Sequence, residues 1–190
     1  WAPGNIKYDA TQNGIDFQHK ISGISQIPIT VTSSTDPNFS TGLFSSYCVN
    51  VFQSLTFTSN PPDTFSVTAQ PISSVLDATG HAGRIGYLYQ QYGSLLSITR
   101  AQGLTDDQAF DQQALQIAIW KLEYDSDSTL TDFSAGNFKN LSVLNGGPPA
   151  LNDTLADLES RALDFINESA GHSAQAIVLV ADTGTPAGTG

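Results

Sequence analysis

The chain has 190 residues, enough to bury a real core as one domain or one domain with two lobes. Charged residues make up only 13 % of it and the formal net charge is −11, from 18 acids against 7 bases. The few Lys and Arg are scattered, which excludes the basic cluster that a phosphate backbone or an anionic membrane surface requires.

Ser, Thr, Asn, Gln and Gly take the place of charge, a composition that suits an extracellular or cell-surface protein. A chain that opens at Trp1 and contains no Met is expected to be processed or cut, with any signal peptide already removed. No apolar run approaches the roughly 18 residues of a membrane span, so no membrane insertion is expected in this segment. The single cysteine, Cys48, allows no internal disulfide.

In chain order, residues 14–20 and 26–33 carry β-branched and aromatic residues between turn formers and predict two strands, the second with Pro28 near its start. Residues 45–53 predict a third strand with Cys48 inside it. After the break at Asn60-Pro61-Pro62-Asp63, residues 64–70 predict a fourth. Residues 84–102 can be helical. Thr105-Asp106-Asp107-Gln108 has the form of a capping box before a second helix that runs to about Tyr124, with acids in its first turn where the helix dipole favours them. A third helix is expected over 152–169, with Leu155, Leu158, Ala162, Phe165 and Ile166 on one stripe and Gly171 as its stop. Residues 175–181 predict a closing strand, and 183–190 a flexible linker tail.

Strands, then helices, then a strand imply an α+β fold. The expected organisation is a single domain over 1–182. Its sandwich- or barrel-like β-rich lobe takes about 1–80 and 172–182, and its helical lobe about 81–171.

The second helix contains Ala114-Leu115-Gln116-Ile117-Ala118-Ile119-Trp120, an apolar run with one amide at its middle. Gln116 shares a stripe with Ala109, Gln113 and Trp120, while Leu115, Ile119 and Leu122 line the next. An unpaired amide buried there would cost about 1–3 kcal/mol, so Gln116 needs either a partner or a chemical purpose. The purpose is available: a thiolate can attack a glutamine carbonyl, expel ammonia and leave a thioester. That bond needs one thiol without a disulfide competitor, one amide held against it and dry, aromatic surroundings such as Tyr47 and Trp120. Cys48 and Gln116 come from different lobes, so the bond would join them.

Tyr47-Cys48-Val49-Asn50 followed by Gln116-Ile117-Ala118-Ile119-Trp120 resembles the thioester domains (TQXA type) of bacterial surface adhesins, with Leu115 where that family has Thr. The resemblance covers roughly residues 45–125. It implies that Cys48 is the thiol and Gln116 the acyl donor of an internal thioester at the lobe junction. A looser middle motif is matched by Leu88-Tyr89-Gln90-Gln91-Tyr92, without deciding between Gln90 and Gln91. The implied activity is single-use covalent capture, without enzymatic turnover. A nucleophile, most plausibly a Lys amine on a host, neighbouring-cell or matrix protein, would attack the Gln116 carbonyl and release Cys48. A base would assist, with His81, His172 and the carboxylates as candidates. Also implied are a monomer at the cell surface, anchored by a segment beyond this chain, and no cofactor.

Other readings stay open. Cys48 and Gln116 can be a buried thiol and a satisfied core amide in a non-covalent protein- or glycan-binding module, to which Tyr87, Tyr89 and Tyr92 could contribute. The thioester can also serve only as a structural cross-link. A cysteine hydrolase would need His19, His81 or His172 beside Cys48, with no protease signature to support it. Asp125-Ser126-Asp127-Ser128-Thr129 opens like a calcium loop but lacks the turn Gly and has Gly136 where the closing Glu belongs, so no metal site is expected. Sequons at Asn38, Asn140, Asn152 and Asn167 arise readily in so Ser/Thr-rich a chain.

Overall fold

The computed structural model describes residues 5–12, 15–22, 27–35, 41–50, 66–76, 78–93, 105–143 and 154–181. The fold is mixed α and β. β1 (Asn5–Gln12) and β2 (Ile15–Ser22) form an antiparallel hairpin, and β1 pairs on its other edge with β6 (Phe138–Val143), giving the order β2-β1-β6. β3 (Ile27–Val31) pairs with β4 (Gly42–Ser46), and β5 (Val67–Pro71) with β7 (Ile177–Ala181), both antiparallel. The helices are the short α1 (Ile72–Val75), α2 (Ala82–Leu88), α3 (Asp106–Tyr124) and α4 (Leu155–Glu168). Three small sheets take the place of the expected sandwich or barrel among the described residues.

α3 is the axis of the core. Thr105 accepts from the Gln108 main-chain N–H, and the Gln108 side chain accepts from Thr105 N–H at 3.0 Å, closing the expected capping box. From Gln112 to Leu122 every residue is buried, because α2, α4 and β6 surround the helix. α4 is more one-sided, with Leu158, Ala162, Phe165 and Ile166 buried and its start capped by Thr154 and Asp157. Beyond α4 the chain turns at Gly171, whose φ of 75° a residue without Cβ adopts at no steric cost. It then passes so close to α2 that a Cβ at Gly86 would run into the Ala174 carbonyl.

The β2-β1-β6 sheet rests on α3 through Tyr8, Trp120 and Phe138, whose ring centroids lie 4.9–5.8 Å apart. Opposite Tyr8 the register slips by one residue at a β-bulge, and Asn140 takes a left-handed φ of 55° there while its amide donates to Asp9. A fully buried Lys121 braces the loop leading into β6. Its ammonium pairs with the Asp125 carboxylate and donates to Ala135 O and Phe138 O at 2.8 and 3.0 Å. Asp125 in turn accepts from the Asn137 and Phe138 main-chain N–H groups.

Some expected elements move. The strand expected over 45–53 is β4 and ends at Ser46, so Cys48 lies past the strand in an irregular segment; residues 51–53 lie outside the described residues. The helix expected over 84–102 begins at Ala82 and passes into a π turn over Tyr89–Gly93, and 94–102 lie outside the described residues. The tail over 183–190 does too. β6 is a strand between α3 and α4, so the strands and helices are less segregated along the chain than their expected order.

Candidate functional site

The irregular segment Tyr47–Asn50 leaves β4 and runs along the face of α3 that carries Gln116. Gln116 is 1 % exposed, and its amide is paired at both ends with the main chain of Cys48. Cys48 N–H donates to Gln116 Oε1 at 2.8 Å, and Gln116 Nε2 donates to Cys48 O at 2.6 Å. The donor and acceptor roles of the main chain fix which end of the amide faces which group. Residues 68 apart in sequence are thereby held side by side, with Cys48 a free thiol.

The Cys48 thiol is half-buried and donates to Asn50 O at 3.3 Å. Burial pushes its pKa up, and a main-chain hydrogen bond at Asn50 acts in the opposite sense. The neutral thiol is therefore the resting form, and forming the thiolate is costly.

Aromatic groups enclose the pair. Trp120, one turn beyond Gln116, is 2 % exposed and packs against Tyr8 and Phe138. Tyr124 stands one further turn along, its hydroxyl 3.5 Å from Val49 O and from Asn50 Oδ1. The Tyr8 hydroxyl is held well above its ordinary pKa, first by burial and then by the neighbouring Cys48 and Tyr124. Tyr47 is raised likewise, by burial and then by Tyr89 and Asp111, and its hydroxyl has no hydrogen-bond partner among the described residues. Asp111 itself is tied to α4 through Arg161, whose Nε donates at 2.7 Å.

Of the expected residues, Cys48, Gln116, Tyr47 and Trp120 come together. Gln90 and Gln91 lie elsewhere: Gln90 is exposed and donates to Gln175 O at 2.9 Å, and Gln91 is exposed. From that middle motif it is Tyr89 that approaches the site, through Tyr47. The two candidate histidines are placed apart too. His81 is buried, with Nδ1 on Leu122 O at 2.9 Å and Nε2 on Asp127 at 3.0 Å. His172 is exposed and stacks on Tyr87 at 4.4 Å. In the calcium-like stretch, Asp125 faces Lys121 while Asp127 faces His81 and Arg84, so the two carboxylates do not converge.

Tyr8, Asn50, Glu123 and Tyr124 belong to the surroundings of the site and were not among the residues expected there. Glu123 and Tyr124 were within reach of the sequence, since they continue the face of α3 seven and eight residues beyond Gln116. Tyr8 was too, since Ile6, Tyr8 and Ala10 alternate with Lys7, Asp9 and Thr11 at the period of a strand. Glu123 has a buried carboxylate oxygen, Oε2, without a hydrogen-bond partner among the described residues, and burial lifts its pKa from 4.5 to about 7.

That shift has a defined consequence for stability. A carboxyl raised in the folded state contributes fully below its unfolded pKa of 4.5, and that contribution is lost as the pH rises through about 7. Glu123→Gln, which has no charge to bury, is expected to match the parent in urea midpoint near pH 4.5 and exceed it at pH 8. Parallel pH profiles for the two proteins would contradict this.

Comparison of the chain with protein-family models, with curated proteins and with solved structures returned no match.

Proposed function

We propose that this chain is a thioester domain of a surface adhesin, in which Cys48 and Gln116 form an internal thioester that captures a partner nucleophile covalently. The observation that carries the reading is the two-point pairing of the Gln116 amide with the Cys48 main chain. An ordinary core glutamine needs some partner. This one has the residue whose thiol could attack it, contributed from 68 positions away.

The chemistry follows from those contacts. Sγ attacks Cδ of Gln116, a C–S bond forms, and negative charge develops on Oε1. Cys48 N–H already donates to that oxygen, so the donor needs no reorganisation as the charge grows. The C–N bond breaks, and Nε2 leaves as ammonia with the proton that the thiol gives up. The raised thiol pKa means that Cys48 is a reluctant leaving group in the reverse sense, which slows hydrolysis of the finished bond. A lysine amine of a host, neighbouring-cell or matrix protein then attacks the same carbonyl, making an amide and restoring the thiol. The domain acts once and does not turn over. On this reading it is a monomer displayed at the cell surface; among the described residues no helix is long and apolar enough to cross a membrane.

The test is the intact mass of fresh protein before and after methylamine. The expected mass is one ammonia below the sequence mass, rising by one methylamine on treatment, with neither change in Cys48→Ala. A mass equal to the sequence and indifferent to amine would overturn the proposal.

A second reading has an observation in its favour. The same two bonds satisfy both ends of the Gln116 amide, so Gln116 can act as a purely structural tie in a non-covalent protein- or glycan-binding module. Partner capture that dissolves in denaturant would favour that module, because a covalent adduct survives denaturation.

A further inference from the structure

On α3, Gln116, Trp120 and Glu123 are neighbours at spacings of four and three residues, which brings successive Cβ atoms to about 5–6 Å. The indole Nε1 of Trp120 and Oε2 of Glu123 are both buried and both lack a hydrogen-bond partner among the described residues. The first can only donate, and an ionised carboxylate can only accept. A group that suits both must accept from the indole and donate to the carboxylate. A neutral primary amine does this through its lone pair and its N–H bonds. An ammonium ion, with donors alone, cannot satisfy the indole.

We propose that Trp120 Nε1–H and the Glu123 carboxylate dock the primary amine that reacts at Gln116, and that Glu123 takes the proton the amine must lose. This rests on the thioester reading of Cys48 and Gln116. The balance is simple. The incoming ammonium gives one proton to the Glu123 carboxylate, which becomes a neutral carboxylic acid. The free amine then exchanges its lone-pair hydrogen bond from the indole for the carbonyl carbon: a C–N bond forms to Cδ of Gln116, the C–S bond breaks, and the surplus proton on nitrogen passes to the Cys48 sulfur.

The surroundings support that role. Burial holds the Glu123 carboxyl up to about 7, so both of its forms are populated near neutral pH. The charged groups on the elements packed against α3 are directed elsewhere. Arg84 of α2 bonds Asp127, Arg161 of α4 bonds Asp111 and has Asp164 nearby, and Glu159 faces Asp132. Asp157 caps α4 and Glu168 accepts from the Tyr92 hydroxyl. Lys139 of β6 stands opposite Asp9 in the strand register, and Lys121 of α3 itself pairs with Asp125.

The experiment compares the rates at which the parent, Glu123→Gln and Trp120→Phe proteins are labelled by methylamine and by hydroxylamine, with intact mass reporting thioester content first. Methylamine is almost wholly protonated at neutral pH and needs the base; hydroxylamine is largely unprotonated and does not. With the thioester present, Glu123→Gln is expected to slow methylamine about 100-fold at pH 7 and to remove the inflection near pH 7. Hydroxylamine should be slowed far less. Trp120→Phe, which keeps a ring in the same space, should slow both amines. Equal slowing of the two amines by Glu123→Gln, or none, would overturn the dock. Absence of the ammonia loss from the parent itself would instead reject the thioester reading beneath it.

Discussion

On the proposed thioester reading, opening the Cys48–Gln116 bond with methylamine is expected to lower the unfolding midpoint by roughly 10 °C, a loss of about 4 kcal/mol for a chain of this size. The magnitude follows from the loop that the bond closes, which spans a sequence separation of 68 residues. A cross-link of that span restricts the unfolded chain far more than it alters the folded one. The hydrogen bonds at the site then order the variants. After methylamine, Gln116 carries an N-methyl amide that still has one N–H and one carbonyl, so its pairing with the Cys48 main chain can re-form. Cys48→Ala keeps that main chain too and should be as stable as the amine-treated parent. Gln116→Leu loses the cross-link and strips the partners from both Cys48 N–H and Cys48 O, placing it lower by a further 1–3 kcal/mol or so. Calorimetry or denaturant titration of the four species reads the order directly. Equal midpoints for the parent and Cys48→Ala, with no response to methylamine, would mean that no cross-link exists.

The sequence made the helical part of this molecule legible because its signals are local. The capping box at Thr105 and Gln108, the stripe of α4 and the turn at Gly171 each lie within a few residues and each appears where expected. β6 was invisible for an equally physical reason, and β1 was not. In β6 the bulge at Asn140 spaces the buried Phe138 and Leu141 three residues apart, which destroys the two-residue alternation by which a strand is recognised. β1 does alternate, Ile6, Tyr8 and Ala10 against Lys7, Asp9 and Thr11, so the strand itself was legible and only its place beside α3 was not. The candidate site divides in the same way. Cys48 and Gln116 could be named because their chemistry is distinctive. Their environment could not, since nothing local in β1 places Tyr8 against Trp120. The displacement of Gln90 and Gln91 follows from the π turn at Tyr89–Gly93, which changes the direction in which each side chain leaves the backbone.

Asp125→Asn is expected to destabilise the fold by about 3–5 kcal/mol although it removes only a charge. The carbonyl of the new amide can still accept from the Asn137 and Phe138 N–H groups. What it cannot do is balance Lys121, which is 0 % exposed and, among the described residues, would keep as hydrogen-bond acceptors just Ala135 O and Phe138 O. The double variant Lys121→Met/Asp125→Asn should recover most of the loss, because a thioether of similar length fills the space over the Phe133 ring without an ion to desolvate. Urea titration of the two single variants and the double distinguishes this from a role in packing alone, for which the losses would add. The consequence extends to the candidate site. The Lys121–Asp125 pair holds the loop that presents Phe138, and Phe138 forms the ring cluster with Tyr8 and Trp120 beside Gln116. On the proposed thioester reading, loosening that brace would admit water to the Gln116 carbonyl and shorten the life of the bond. Asp125→Asn should therefore also speed spontaneous hydrolysis of the thioester, seen as a gain of one water over the thioester mass during storage, while the double variant holds its mass.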